Sequence, residues 1–413
     1  MMDLVIKNCK RVDSSGEYNI GILNNKIAEI SKLDIKSAKT IDAKGNYILP
    51  GLIDPHVHFR DPGLTQKEDF KTGSESAANG GFTTVLDMPN TIPKTNTYNA
   101  YKEKLEIAGK KSVVNFELQA GVNSLEEMEK IMELNPVSFK IFMDLESDES
   151  LEKIFKDLAI LKEKTQYNGL ICTHCEKQSI IKENMEKYKD STNSIDYSYV
   201  RDNKSEEESV KQAIELCSKN DLKLHICHLS SKKSLELAKK ANVSYEFTPH
   251  HLLLDNTYYN EVGTIIKTNP PLRDADIKIN ISDIDEKTII GTDHAPHTLE
   301  DKNKGALTSA SGIPNLETVV PLLLTEVNRK NLDLKLIPKI LSENAAKTFG
   351  LKNKGTIAIG KDADLTIIDL KKEGKFDIDS FKTKAEYSPF ENWEYKGKAV
   401  MTIVNGKIIM DNL

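Results

Sequence analysis

The chain has 413 residues, 38% hydrophobic and 29% charged, the balance of an ordinary globular protein with room for one large domain and a smaller one. Its net charge of −6 comes from interspersed acids and bases, without the basic stripe that tracks phosphates, so a nucleic-acid partner is not expected. No apolar run approaches the roughly 20 residues that cross a bilayer, and MMDLVIKNCKRVDSSG lacks the apolar core of a signal peptide, so no membrane association and a cytoplasmic location are expected.

Residues 1–50 read as short alternating strands, DLVIKNCKRV and YNIGILNNKIAEI, with a turn at Asn24-Asn25. GTIAIGKDADLTIIDL and KAVMTIVNGKIIM repeat that texture near the other end, with turns at Gly360-Lys361 and Asn405-Gly406. Two β-rich ends around an unlike middle predict one small β-sandwich domain built from 1–50 and 354–413, with a second domain spanning 51–353. The middle alternates strand-like runs with charged segments of helical period. The strand candidates are GLIDPHVHF, GFTTVLDM, SVVNFELQA, VSFKIFM, GLICTH, LKLHICH, NVSYEFT and TIIGTD. The helical segment SLEEMEKIMEL opens with Ser124 and has Glu127 three residues on, the signature of a capping box. This α/β alternation predicts a parallel (β/α)8 TIM-type barrel, with a doubly wound open sheet as the other topology that fits the pattern. The five scattered cysteines argue against a disulfide framework.

The nine histidines all fall between His56 and His297. In DPHVHFRDPG, His56 and His58 are two apart on a strand and so face the same interior, a spacing suited to zinc, which favours nitrogen ligands. His174, His228 and Asp293 close three other predicted strands in the same sense, at the barrel rim where active sites gather. Any one of these alone reads as a structural hydrogen-bond partner; together they read as metal ligands. Lys140 lies inside the apolar run VSFKIFM, where an isolated ammonium is costly and burial lowers its pKa. A neutral amine reacts with carbon dioxide to give a carbamate whose two oxygens can bridge two metals. The alternatives are a lysine reaching solvent or paired with an acid, with Asp144 as the bridge instead. Arg60 offers a planar fork for a carboxylate; Asn90 in DMPNT follows another strand end, Asn269 sits in TNPPLR, and His297 lies one short turn beyond Asp293.

DPHVHFRDPG and GTDHAPHTLEDK resemble the two signature motifs of the dihydroorotases, a family within the metal-dependent amidohydrolase superfamily. DMPNT, ICTHCE, HICHLSS, TPHHLLL, NPPLR and SGIPNLET follow in family order, so the likeness runs over nearly the whole chain. The resemblance implies reversible hydrolysis of dihydroorotate to N-carbamoyl-aspartate in pyrimidine synthesis. It implies two zinc ions, one held by His56, His58 and Asp293 and the other by His174 and His228, bridged by carboxylated Lys140. It places Arg60, Asn90 and His297 on the substrate carboxylate, with Asn269 and the backbone around Ser311 and Gly312 near the ring, and gives Asp293 the proton transfers. SFKIFMD departs from the aspartate-rich turn of many bacterial members and is similar to the lysine-bridged dihydroorotases, hydantoinases and allantoinases. The segment RDNKSEEES has no assigned role. A sister cyclic amidase for allantoin or hydantoins, and a non-catalytic barrel that assembles with another pyrimidine enzyme, are the rival readings. Self-association and docking onto a transcarbamoylase stay open. Residues 144–150 and 298–312 are the candidate closing loops.

Overall fold

The computed structural model describes residues 1–413, and two sheets organise it. The terminal sheet begins with β1 (Met2–Lys10), β2 (Glu17–Leu23), β3 (Lys26–Ser31), β4 (Ser37–Asp42) and β5 (Tyr47–Pro50). The barrel strands follow: β6 (Leu52–Val57), β7 (Phe82–Asp87), β8 (Asn115–Gly121), β9 (Ser138–Phe142), β10 (Leu170–His174), β11 (Lys223–Ile226), β12 (Ser244–Phe247) and β13 (Ile289–Ile290). The chain then returns to the first sheet as β14 (Leu365–Lys375), β15 (Glu394–Val404) and β16 (Lys407–Asp411). That sheet is mixed, ordered β16-β15-β14-β5-β1-β2-β3 with β4 beside β1, so the two ends of the chain meet where β14 runs antiparallel to β5. Of GTIAIGKDADLTIIDL, only the part from Leu365 is a strand. No helix is long and apolar enough to cross a membrane.

The eight central strands run parallel in chain order from β6 to β13. The ring is drawn together by the bridge between Val57 and His294 and by the His58 N–H donating to the His294 carbonyl at 2.8 Å. The strands are short, and β6, β7 and β10 are buried on both faces throughout, which is why these runs read as nearly continuous apolar sequence. Helices form between them where the apolar residues fall at helical spacing, as in Asp148–Lys164, which buries Leu151, Phe155, Leu158 and Leu161 and is capped by Ser147. The Ser124 hydroxyl caps its helix by accepting from the Glu127 N–H, but the Glu127 carboxylate accepts from the Tyr98 N–H instead of completing the box. Gly51 is the single residue between the two sheets. A Cβ there would lie 2.2 Å from the Thr83 hydroxyl, so only glycine lets the strands approach this closely.

Two buried features fix the upper end of β6. Asp54 accepts from the backbone N–H groups of His56 and Thr292, tying the first strand to the segment after the last. Asp87, at the end of β7, accepts from the Phe59 N–H at 2.7 Å and pairs with the wholly buried Lys104, whose ammonium also donates to the Met88 carbonyl at 2.6 Å. Removing one partner of such a pair strands the other's charge. Lys104→Met should therefore lower unfolding stability by about 3–5 kcal/mol, read as a lower midpoint in thermal or urea denaturation. An unchanged midpoint would show that the Asp87 carboxylate does not depend on Lys104.

Candidate metal centre and substrate pocket

The strand ends open into one cavity of about 450 Å³, and every residue predicted from sequence to form the site lines it. His56 lies in β6 and His58 just beyond it, Lys140 in β9, and His174 at the end of β10. His228 and Asp293 follow β11 and β13. Arg60, His228 and Asp293 all hold left-handed backbone, with φ of 61°, 37° and 48°. Non-glycine residues rarely adopt that conformation, and its clustering here re-aims side chains as the strands end.

His56, His58 and Asp293 converge. The two Nε2 atoms are 3.2 Å apart, and an Asp293 carboxylate oxygen is 3.1 Å from His58 Nε2 and 3.3 Å from His56 Nε2. The outer ring nitrogens decide which faces point inward. His56 Nδ1–H donates to Glu246, and His58 Nδ1–H donates to the Asn90 side-chain oxygen at 2.6 Å. Each Nε2 therefore presents a lone pair, and two lone pairs face each other beside a carboxylate. Only a cation or a proton between them relieves that arrangement. Burial opposes protonation, lowering the His58 pKa to about 4, so near neutral pH the donor set suits a metal ion. Burial disfavours the Asp293 carboxylate too, but His56 and His58 hold its pKa well below the usual range.

The second pair is His174 and His228, with Nδ1 of the first 3.0 Å from Nε2 of the second. His174 Nε2–H donates to Glu176 at 2.7 Å, which turns its Nδ1 lone pair inward. Arg201 brackets Glu176, also pairs with Asp144 at 2.7 Å, and against the cost of burial holds the Glu176 pKa down to about 2. His228 alone lacks a partner that fixes its tautomer: its Nδ1 is buried and unpaired. Burial, then the neighbouring His174, push its pKa well below the ordinary imidazole value, leaving a neutral donor.

Lys140 is buried beside this pair, with its Nζ 2.8 Å from the Cys227 thiol. It is neither solvated nor paired with an acid. Burial opposes its ammonium, and only ionised Cys227 and Cys172 thiolates would raise its pKa above the ordinary lysine value. Burial drives both thiols up in turn, Cys172 to about 12, so each is uncharged near neutral pH. Asp144 does not share this place. Its carboxylate belongs to Arg201 and lies 3.8 Å from His174 Nε2, the nitrogen turned away from His228.

The opposite wall is polar and positively charged. Arg60 is buried, its Nη2 lies 3.1 Å from His297 Nε2, and its Nε has no partner. Lys67 donates to His297 Nδ1 at 3.0 Å, and burial together with the Arg60 and Lys67 charges drops the His297 pKa to about 2, so this imidazole is neutral. Asn269 accepts from the Tyr197 hydroxyl at 2.6 Å, and the same hydroxyl lies 3.1 Å from the Ser311 hydroxyl. Gly312 has φ 140°, and a Cβ there would lie 2.3 Å from the Ala295 carbonyl, so its backbone reaches the cavity only as glycine.

Sequence reading missed the residues behind these ligands. Glu246 joins His56 to His225 and accepts from the His228 N–H. Its signal was a charged residue in the apolar run NVSYEFT, the same one that drew attention to Lys140. The unassigned RDNKSEEES holds Arg201 and Glu206, and Glu206 accepts from Ser230 and Ser231, just past His228.

The Amidohydrolase family profile matches residues 47–409. The chain is 47% identical over 421 residues to a dihydroorotase of Methanosphaera stadtmanae, covering 99% of this chain and 96% of that one. It is 45% identical over 412 residues to a dihydroorotase of Methanothermobacter thermautotrophicus, covering 99% and 94%. The solved L-hydantoinase (dihydropyrimidinase) of Arthrobacter aurescens superposes with a TM-score of 0.93 at 32% identity, covering 100% of this chain and 97% of that one.

Glu246→Gln replaces an obligate acceptor with a group that can donate to His56 Nδ1 and so free the wrong nitrogen. Zinc affinity, measured by competition with a chelator, should fall about 10–100-fold; unchanged affinity would show that Glu246 does not set the ligand face of His56.

Proposed function

The chain belongs to the amidohydrolase family, whose members are metal-dependent hydrolases, and from that premise we propose that it is a dihydroorotase interconverting dihydroorotate and N-carbamoyl-aspartate in pyrimidine synthesis. The observation that carries this reading is Arg60, a buried guanidinium with an unpaired Nε and no acid partner, lining the same cavity as the converged ligand set. A carboxylate on the substrate ring supplies the missing anion. Arg60 offers it a planar fork, and the Asn90 amide nitrogen stays free because its oxygen is engaged by His58. The two curated relatives named above carry the same activity in their names.

In this reading His56, His58 and Asp293 would hold one zinc ion and His174 and His228 the other, with Lys140, carboxylated by carbon dioxide, as a further ligand. Bound zinc would supply Lewis acidity toward the amide carbonyl and bring the pKa of water to about 7. The protein's own groups then orient and move protons. Arg60 and Asn90 fix the ring carboxylate, with the neutral His297 beside them, so the scissile carbonyl lies over the ligand set rather than being met by chance. Water adds to that carbonyl, the ring C–N bond breaks, and the Asp293 carboxylate carries the proton from the attacking water to the departing nitrogen. In the reverse direction the carbamoyl nitrogen attacks the side-chain carboxyl group, Asp293 takes the nitrogen's proton, and water leaves.

Hydantoin hydrolysis is the second reading, favoured by the backbone likeness to the L-hydantoinase. Hydantoin and dihydrouracil lack a ring carboxylate, so a comparison of substrates separates the two. Purified zinc-loaded protein should turn over dihydroorotate with kcat/KM at least about 100-fold above hydantoin, dihydrouracil and allantoin, since a buried charge left unpaired costs several kcal/mol. Arg60→Met should cut kcat/KM for dihydroorotate by about 100-fold or more and change that for dihydrouracil little. A preference for hydantoin, or equal losses on both substrates, would contradict the assignment.

A further inference from the structure

Two lysines outside the ligand set stand directly behind the Arg60 wall. Lys302 is fully buried, and its ammonium donates only to backbone, to the carbonyls of Lys267, Ala310 and Gly312 at 3.0, 3.1 and 3.0 Å, with the Tyr387 ring centre 5.7 Å away. Lys267 is 1% exposed, donates to the carbonyls of Leu307 and Ser309 at 2.8 Å each, and lies 4.0 Å from the Tyr197 ring centre. A neutral amine has two N–H groups, so the three carbonyl acceptors around Lys302 favour its ammonium, against burial, which lowers its pKa well below the ordinary lysine value. Neither lysine meets a carboxylate. The contrast with Lys104, neutralised by Asp87, is direct, and the nearby Asp301 is already taken by Lys67 at 2.8 Å and Lys304 at 2.6 Å.

Buried cations without counter-ions are costly, and neither of these serves the ligand set. Their positions give the reason. Lys302 and the Tyr387 hydroxyl share the Gly312 carbonyl, and Tyr197 links Lys267 to Asn269 and Ser311. Both charges are therefore one residue behind the cavity wall, on the side of Arg60 and His297. We propose that Lys267 and Lys302 are specificity-determining residues: they supply uncompensated positive charge behind the substrate wall and hold residues 307–312 so that the cavity favours a ring bearing a carboxylate over a neutral cyclic amide. This rests on reading the Arg60 wall as the carboxylate subsite. Burial depresses both lysines, Lys267 to about 8, so an anion arriving on the wall stabilises the ammonium forms it interacts with.

Binding tests this without turnover. Calorimetry on the zinc-loaded protein, with orotate as the anionic ring and uracil as its neutral counterpart, should show a clear preference for orotate. Lys267→Met should weaken orotate by about tenfold while uracil stays within about twofold, and Lys267→Arg should retain most of the orotate affinity. Lys302→Met should move orotate in the same direction; if it fails to fold, the Lys267 pair still decides the question. Equal losses for orotate and uracil in Lys267→Met would make the lysine a loop anchor only and overturn the proposal. A wild-type protein that prefers orotate, with both Met variants keeping that preference, overturns this proposal alone. A wild-type protein that binds the two rings equally overturns the carboxylate subsite itself.

Discussion

Two imidazole nitrogens facing each other across 3.2 Å, each with its proton held on the far side of the ring, form the constraint around which the barrel mouth is arranged. The lone pairs repel unless positive charge stands between them, and a carboxylate from just past the last barrel strand already points at the gap. What keeps the rings there is a ring of acceptors behind them: Glu246 on His56, Asn90 on His58, Glu176 on His174. Glu246 and Glu176 are in turn held by His225 and Arg201, and Asp54 and Asp87 pin the backbone that carries the first two histidines. The donor set is thus pre-organised by groups that, Asn90 apart, do not line the cavity, and the left-handed backbone at Arg60, His228 and Asp293 is paid for by that surrounding structure.

The cavity is polarised. One side gathers histidines and a carboxylate and so calls for cations; the other holds Arg60 beside a neutral His297, with Lys267 and Lys302 behind the wall, and so calls for an anion. A ring with an amide to be cleaved and a carboxylate to be held matches both demands in one molecule. The terminal sheet contributes through the segment between β14 and β15, which brings Tyr387 against the Gly312 carbonyl and so supports the wall from outside the barrel.

The barrel was legible because its strands are short apolar runs bounded by helices of clear amphipathic period, and because both ends of the chain share an alternating texture. The candidate site was legible where chemistry is dense in sequence: His56, His58 and Arg60 fall within one strand end, and Asp293 and His297 within another. The supporting residues were harder to see. Glu246 and Lys140 announce themselves as charges in apolar strands, but Arg201 acts from RDNKSEEES, an acidic segment to which the sequence assigns no role. Lys267 and Lys302 pair with backbone carbonyls, a kind of partner that leaves no trace in side-chain patterns. The left-handed backbone at Arg60, His228 and Asp293 is equally silent, since none of these is the glycine or asparagine that usually marks it.

The most direct test of the convergence is diffraction from crystals of zinc-loaded protein, collected on both sides of the zinc absorption edge. The account predicts two anomalous peaks per chain, one among His56, His58 and Asp293 and one between His174 and His228, with density beyond the Lys140 Nζ reaching both. Absence of a peak from the first position at full zinc loading would contradict it.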